Sequence, residues 1–291
     1  MKKILVSNID ITKFEKHLFN MEKSQITIEK YIRDCKKFLL FAGSEELSKE
    51  TVIRFKQYII DAGYAIASVN SMLASVNSLV EFMDRPECRV KSVRRQHQTF
   101  TTEDKELTKS EYMRLLTATG KDKRLNLLIQ TICCTGIRVS ELKYITVAAV
   151  RKGETTVYCK NKNRTILIPD QLKKLLSGYM KERKIVSGPV FVTAKGKPLD
   201  RSYIWKTMKK LCASAGVATE KVFPHNLRKL FARTFYATAK DIAKLADVLG
   251  HSNIATTRIY IMTTFKEHKR RIEQLGLIIS DKMQSIGKMR Q

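Results

Sequence analysis

The stretch Leu249-Gly-His-Ser-Asn-Ile-Ala-Thr-Thr-Arg-Ile-Tyr260 packs a helix stop, an imidazole, a helix start and a phenol into one short segment. Gly250 breaks the preceding helix and His251 follows in the turn. Ser252 is placed to cap the next helix, and Tyr260 rides on that helix, nine residues beyond His251. A phenol can attack phosphorus and hold the product as a phosphodiester. The chain has ten tyrosines, and a half-buried core tyrosine is the ordinary alternative, so the weight of Tyr260 depends on its company.

Upstream, Pro224-His-Asn-Leu-Arg228 puts His225 and Arg228 three residues apart, on one helix face. Together they offer an imidazole and a guanidinium to a single anion. Further upstream, Thr135-Gly-Ile-Arg-Val-Ser-Glu-Leu142 sets Arg138 between a helix end and a helix start, beside unpaired backbone N–H groups. A guanidinium there can fork onto two phosphate oxygens. Between these segments, Thr155 to Cys159 and Arg164 to Ile168 alternate as short strands. The polar turn Lys160-Asn-Lys-Asn163 joins them into a hairpin. A lysine beside a cleaved phosphate can protonate the leaving oxygen. Taken singly, each segment also reads as ordinary surface: an arginine at a helix start, a solvated His/Arg pair, a solvated lysine.

The bulk numbers point toward a polyanion. The 291 residues carry 55 Lys+Arg against 28 Asp+Glu, a net charge of +27. That excess suits nucleic acid, with a solvated basic surface or a membrane-surface binder as alternatives. Hydrophobic residues make up 43%, enough to bury real cores. No apolar run approaches the roughly 20 residues of a membrane span. The N-terminus turns polar at Ser7, too soon for a signal peptide. The six cysteines form no C-x-x-C pair and read as reduced core residues of a cytoplasmic protein without a zinc site.

Residues 1–100 read as a helical domain. Ile28, Tyr31, Ile32, Cys35, Phe38 and Leu39 recur at helical spacing up to Gly43. Ser48 caps a helix carrying Val52, Phe55, Ile59 and Ile60. A third carries Val69, Leu73, Val76, Leu79 and Val80, and its other face of Ser, Asn and Ala is small enough to approach a DNA backbone. Arg85 to Glu106 reads as a basic linker. Its Arg89, Lys91, Arg94 and Arg95 either lie along phosphates or decorate a plain solvated tether. Residues 101–291 form the second domain. Thr108 and Glu111 make a capping box, Arg124 to Thr135 is a helix, and another begins near Ser140. A helix through Leu172, Leu175 and Leu176 follows the hairpin, Pro189 to Thr193 is a candidate third strand, and helices run on from Asp200. The fold class expected is mainly α (α+β), with a small antiparallel sheet in the second domain.

The order T-G-x-R-x-S-E-L, hairpin lysine, H-x-L-R, L-G-H-x-x-x-x-T-x-x-Y resembles the tyrosine recombinase (phage integrase) family over about residues 105–265. The N-terminal part resembles that family's SAM-like core-binding domain in position and length. The resemblance implies the tyrosine recombinase fold and DNA breaking and joining through a 3′-phosphotyrosyl intermediate and a Holliday junction. It implies Arg138 and Arg228 as the two arginines, His225 and His251 as the histidines, Tyr260 as the nucleophile and Glu141 as a supporting carboxylate. The hairpin turn is one residue shorter than the common G-K-G-x-K-x-R form, so Lys160 and Lys162 compete for the general acid, with Lys160 preferred. No cofactor or metal is implied. The sequence shows neither a carboxylate cluster suited to magnesium nor a G-x-x-x-x-G-K-[ST] loop.

Beyond Tyr260, Phe265, His268, Ile272, Leu275 and Ile279 keep helical spacing among Lys266, Lys269, Arg270 and Arg271. The resemblance implies that this tail (264–291) docks into a neighbouring protomer, giving a homotetramer on double-stranded DNA; the alternative is packing on its own domain. An accessory DNA-bending or directionality protein is a further partner of such enzymes. The basicity and the variant hairpin favour the integrase or transposase of a mobile element. The alternatives are a Xer-type chromosome-dimer resolvase, a type IB topoisomerase-like enzyme and a non-catalytic DNA-binding protein of the same fold.

Overall fold

The computed structural model describes residues 3–94, 105–159, 162–262, 269–270 and 272–275. The chain divides into two compact units, Met1–His97 and Gln98–Gln291.

The first unit holds four helices, α1 (Ile11–Asn20), α2 (Gln25–Ala42), α3 (Lys49–Asp61) and α4 (Ile66–Phe82). Asp10, Ser24 and Ser48 cap the first three by accepting from backbone N–H groups of the first turn. The apolar stripes read from the sequence meet in one core that includes Phe14, Ile28, Phe38, Phe55, Leu73 and Val76. One carboxylate lies inside this packing. Asp34 on α2 is paired with Lys30 at 2.8 Å and accepts from Ser75 of α4 at 3.1 Å.

The small polar face of α4 is not simply free for DNA, as the sequence suggested. Asn77 exchanges two hydrogen bonds with the backbone of Val90 (2.9 and 3.0 Å), and Asn70 does the same with Val93 (3.0 and 2.8 Å). The segment expected to be linker from Arg85 is therefore docked on α4 as far as Val93, with Cys88 and Val90 buried. An asparagine amide can replace a ladder partner for an extended backbone, which periodicity does not reveal.

The second unit starts at α5 (Lys109–Ala118), opened by the expected capping box of Thr108 and Glu111. Then come α6 (Lys123–Thr135), a 3₁₀ segment Val139–Tyr144 and α7 (Val147–Lys152). Strands β1 (Glu154–Cys159) and β2 (Lys162–Leu167) pair antiparallel, from Glu154↔Leu167 to Cys159↔Lys162. β2 starts at Lys162, two residues nearer the turn than alternation suggested, while β1 ends at Cys159 as expected. The third strand does not form among the described residues. Residues 189–193 contribute only isolated bridges, Thr146↔Pro189 and Val192↔Pro198. Pro189 lacks the N–H that a ladder needs, and the chain folds back through Thr193 and Gly196. Val190 and Phe191 are buried all the same.

Helices α8 (Asp170–Glu182), α9 (Arg201–Ala215), α10 (Pro224–Ala239), α11 (Ile242–Leu249) and α12 (Ile254–Arg258) complete the described fold. The cap of α12 is Asn253 rather than Ser252; its side chain accepts from Ala255 N–H. No helix among the described residues is long and apolar enough to cross a membrane.

Candidate active site

Gly136 ends α6 in the left-handed conformation (φ +61°), and a Cβ there would lie 2.5 Å from the ring of Phe231 on α10. This close approach lets Arg228 of α10 donate to the Gly136 carbonyl. Arg228 is only 2% exposed. Its Nη2 also donates to the Leu249 carbonyl at 2.7 Å and lies 3.1 Å from Nε2 of His251. A single guanidinium thus ties together the end of α6, the end of α11 and the turn after it. Its Nε is buried with no partner among the described residues, a donor left over for an incoming oxygen.

Arg138 follows Gly136 and heads the 3₁₀ segment. Its Nη1 donates to Glu141 at 2.9 Å, and its backbone N–H donates to the other carboxylate oxygen at 2.9 Å. The Arg138 side chain keeps a third of its surface open, whereas that of Glu141 is buried. Burial raises the Glu141 carboxyl pKa, but the Arg138 N–H and the charges of Arg164 and Arg138 outweigh it and hold the group below its usual range.

Tyr260 sits in the turn just beyond α12, not on the helix as the sequence suggested, and is 7% exposed. Its ring meets His225 and His251 edge-on, each at 5.2 Å between centroids. His251 is fixed on its other side by Thr257, with 2.9 Å between Nδ1 and the hydroxyl. A cleft of about 300 Å³ is lined by Arg138, Arg201, Trp205, His225 and Arg228, among others. Tyr260 is not among its lining side chains; it packs on His225, which is.

The electrostatics match a site built for an anion. Burial first, then Lys229, Arg228, Arg138 and Arg201, lower the His225 pKa. Burial and then Arg228, Arg138, Arg164 and His225 lower His251 to about 4. Arg228 itself is lowered to about 10 by burial and by Arg138 and Arg164, with Tyr260 partly offsetting them. The clustered arginines oppose further positive charge on one another and on the two imidazoles, and Glu141 is the carboxylate that pairs with Arg138 and Arg164. An anion in the cleft would relieve the strain.

The structure therefore brings together Arg138, Glu141, His225, Arg228, His251 and Tyr260, all singled out in the sequence. Lys160 lies outside the described residues, and Lys162 pairs with Cys159 at the end of the hairpin. Arg89 and Lys91 belong to the first unit, where Arg89 pairs with Glu81 at 2.6 Å and the Lys91 carbonyl accepts from Lys56. Arg94 is exposed, and Arg95 lies outside the described residues. Sequence reasoning missed Arg164, Arg201 and Trp205. Arg164 shares a strand face with Ile166 and stands opposite Val157, both buried, so period-2 alternation already turned it inward. Arg201 and Trp205 are four apart on α9 and share a helix face.

Comparison with known proteins gives the family. Residues 105–267 match the phage integrase family, and residues 11–86 match the phage integrase N-terminal SAM-like domain. Tyrosine recombinase XerA of Pyrococcus furiosus is 31% identical over 264 residues, covering 88% of this chain and 90% of that protein. Among solved structures, a lambda integrase dimer bound to a COC′ core site superposes with a TM-score of 0.71 at 17% identity, over 89% of this chain and 78% of that one. The Tn1549 transposon integrase in complex with transposon right end DNA gives 0.69 at 16% identity, over 94% and 99%. The structural likenesses speak for the fold. With the sequence match along both units, the chain belongs to the phage integrase family and is a site-specific tyrosine recombinase.

Proposed function

We propose that the chain cleaves and rejoins double-stranded DNA at a recombination site with Tyr260 as nucleophile. The observation that carries this reading is the convergence of three distant stretches: Arg138, His225 and Arg228 line one cleft, His251 lies against Arg228, and the phenol packs on both imidazoles. In the first step the Tyr260 oxygen bonds to the scissile phosphorus as the bond to the 5′-oxygen breaks. The His225 imidazole beside the phenol, kept neutral by its surroundings, supplies an acceptor for its proton. Arg138 and Arg228 neutralise the charge that grows on the non-bridging oxygens. The hairpin lysine, Lys160 with Lys162 as the alternative, protonates the departing 5′-oxygen. The 3′-phosphotyrosyl link conserves the bond energy, and attack by the 5′-hydroxyl of a partner strand gives a Holliday junction without ATP. Because Tyr260 is buried, it must advance toward the cleft to react. The test is a suicide duplex nicked beside the cleavage point: Tyr260→Phe binds it and traps no covalent complex, and a Tyr260→Phe protein that still cleaved would refute the assignment.

The exposed Lys91 and Arg94, with Arg89 and Arg95, are proposed to follow the DNA backbone near a nucleoid-bound site. Assembly into a tetramer through the C-terminal tail is supported by the tail's apolar spacing. It is also supported by an apolar cleft of about 470 Å³ lined by Tyr112, Leu230, Phe231 and Phe235. An accessory DNA-bending or directionality protein belongs to the same proposal.

For the biological role, the net charge of +27 and the short hairpin favour a mobile-element integrase or transposase. A dimer-resolvase role is the second reading, favoured by the near full-length similarity to XerA and XerD proteins. Mapping the cleaved positions in DNA flanking the gene separates them: element ends support the first, a single chromosomal site the second.

A further inference from the structure

Arg164 takes no part in the chemistry above, yet it joins Glu141 and the Val248 carbonyl behind the site. Its side chain is 8% exposed and ion-paired with the buried Glu141 at 2.5 Å. The same carboxylate holds the Arg138 guanidinium and backbone N–H. With its other terminal nitrogen Arg164 donates to the Val248 carbonyl at 2.8 Å, three residues before His251. Its stem also shapes the turn. A Cβ on Gly250 would lie 2.3 Å from Arg164 Cδ, and Gly250 holds φ +63°. Arg164 is itself part of β2, two residues from Lys162 and four from Lys160.

We propose that Arg164 is a positioning residue, one guanidinium on the hairpin that sets Arg138 through Glu141 and the His251 turn through Val248. Shifting the hairpin would then shift both groups together, so the lysine-bearing element and the phosphate-facing groups stay in register. Lysine keeps the charge at this position but cannot bridge two acceptors in a fixed plane. Methionine fills the volume and leaves Glu141 with one partner fewer. The inference rests on the recombinase reading above for its consequence and on the geometry alone for its placement.

The test compares wild type with R164K, R164M and R164M/E141Q as full chains. The probe is a nicked duplex from the DNA flanking the gene. At saturating DNA, covalent-complex formation should fall about 100-fold in R164K and R164M, the scale of a small misplacement of reacting groups. DNA affinity should change less than threefold. The double variant removes the charge of a buried carboxylate that has lost one of its two arginines, so its Tm should recover in part while cleavage stays low. Rates that rise and fall with Tm across the series, or that stay at the wild-type value, would overturn the proposal. A second arm needs no cleavage. In the NMR spectrum of R164K without DNA, the Arg138 Nε–H and His251 ring signals should move together while the His17 ring signal stays put; unmoved Arg138 and His251 signals would overturn it. A wild-type protein that forms no Tyr260 adduct would count against the recombinase chemistry and leave this second arm to decide on Arg164.

Discussion

Nη2 of Arg228 stands 3.1 Å from Nε2 of His251. A guanidinium only donates, so Nε2 accepts and the ring proton sits on Nδ1, where it donates to the Thr257 hydroxyl at 2.9 Å. His251 is therefore held as one neutral tautomer. Its pKa, lowered from 6.5 to about 4 by burial and the surrounding arginines, agrees with that assignment. Protonation at Nε2 would aim a new charge at Arg228.

The first prediction concerns pH. The unfolded chain binds a proton at His251 near pH 6.5, and the folded chain binds it only near about pH 4. Between these values the unfolded state holds more protons, so this group makes the fold less stable as pH falls from 6.5 toward 4 and adds no further change below. Ring-proton NMR should give a His251 midpoint near 4. A midpoint at or above 6.5 would contradict the assigned environment.

Anion binding should reverse that depression. Orthophosphate or sulfate entering the cleft places negative charge among Arg138, Arg228 and His225. The titration midpoints of His225 and His251 should both rise as the anion is added, and the rise should shrink in high chloride. Midpoints indifferent to either anion would show that the cleft does not hold one.

Arg228→Lys should damage both fold and chemistry. Lysine has one nitrogen where two separate ones of Arg228 serve the Gly136 and Leu249 carbonyls, and a buried acceptor left unsatisfied costs about 1–3 kcal/mol. Loss of a preorganised donor should lower DNA cleavage by about 100-fold or more at saturating DNA. Chemical denaturation and single-turnover cleavage measure the two effects. Near wild-type cleavage by a folded Arg228→Lys protein would remove Arg228 from the proposed chemistry.

Gly250→Ala should destabilise the second unit by about 2 kcal/mol, because a left-handed backbone and contact with the Arg164 stem oppose any Cβ. Urea unfolding read separately from the two units would show it. The first unit has its own sensitive point: Asp34→Ala removes the carboxylate that Lys30 and Ser75 share, leaving them the Ser71 carbonyl, and should cost about 2 kcal/mol there. A change below about 0.5 kcal/mol in either variant would mean that the surrounding packing relaxes.

Much of this fold was legible in the residues, and the exceptions have a common cause. Caps and apolar periods act over a few residues, so Ser48, Thr108, Gly136 and Gly250 marked helix ends correctly. The motif order likewise selected six side chains that the fold gathers. What stayed hidden depends on partners far along the chain. Arg164 gains its place from Glu141 and Val248, and the strap after Arg85 is held by Asn70 and Asn77. Ser252 and Asn253 are both good caps, and only the backbone decides between them. Tyr260 was selected by its spacing from His251, but the end of α12 at Arg258 moved it into a turn.

The most direct test of the account is the identity of the amino acid that becomes linked to DNA. Wild-type protein should be trapped on a nicked duplex, the DNA digested and the protein cleaved to peptides for mass spectrometry. The account predicts a nucleotide joined through a 3′-phosphate to Tyr260. An adduct on another of the ten tyrosines, or on a serine, would contradict it.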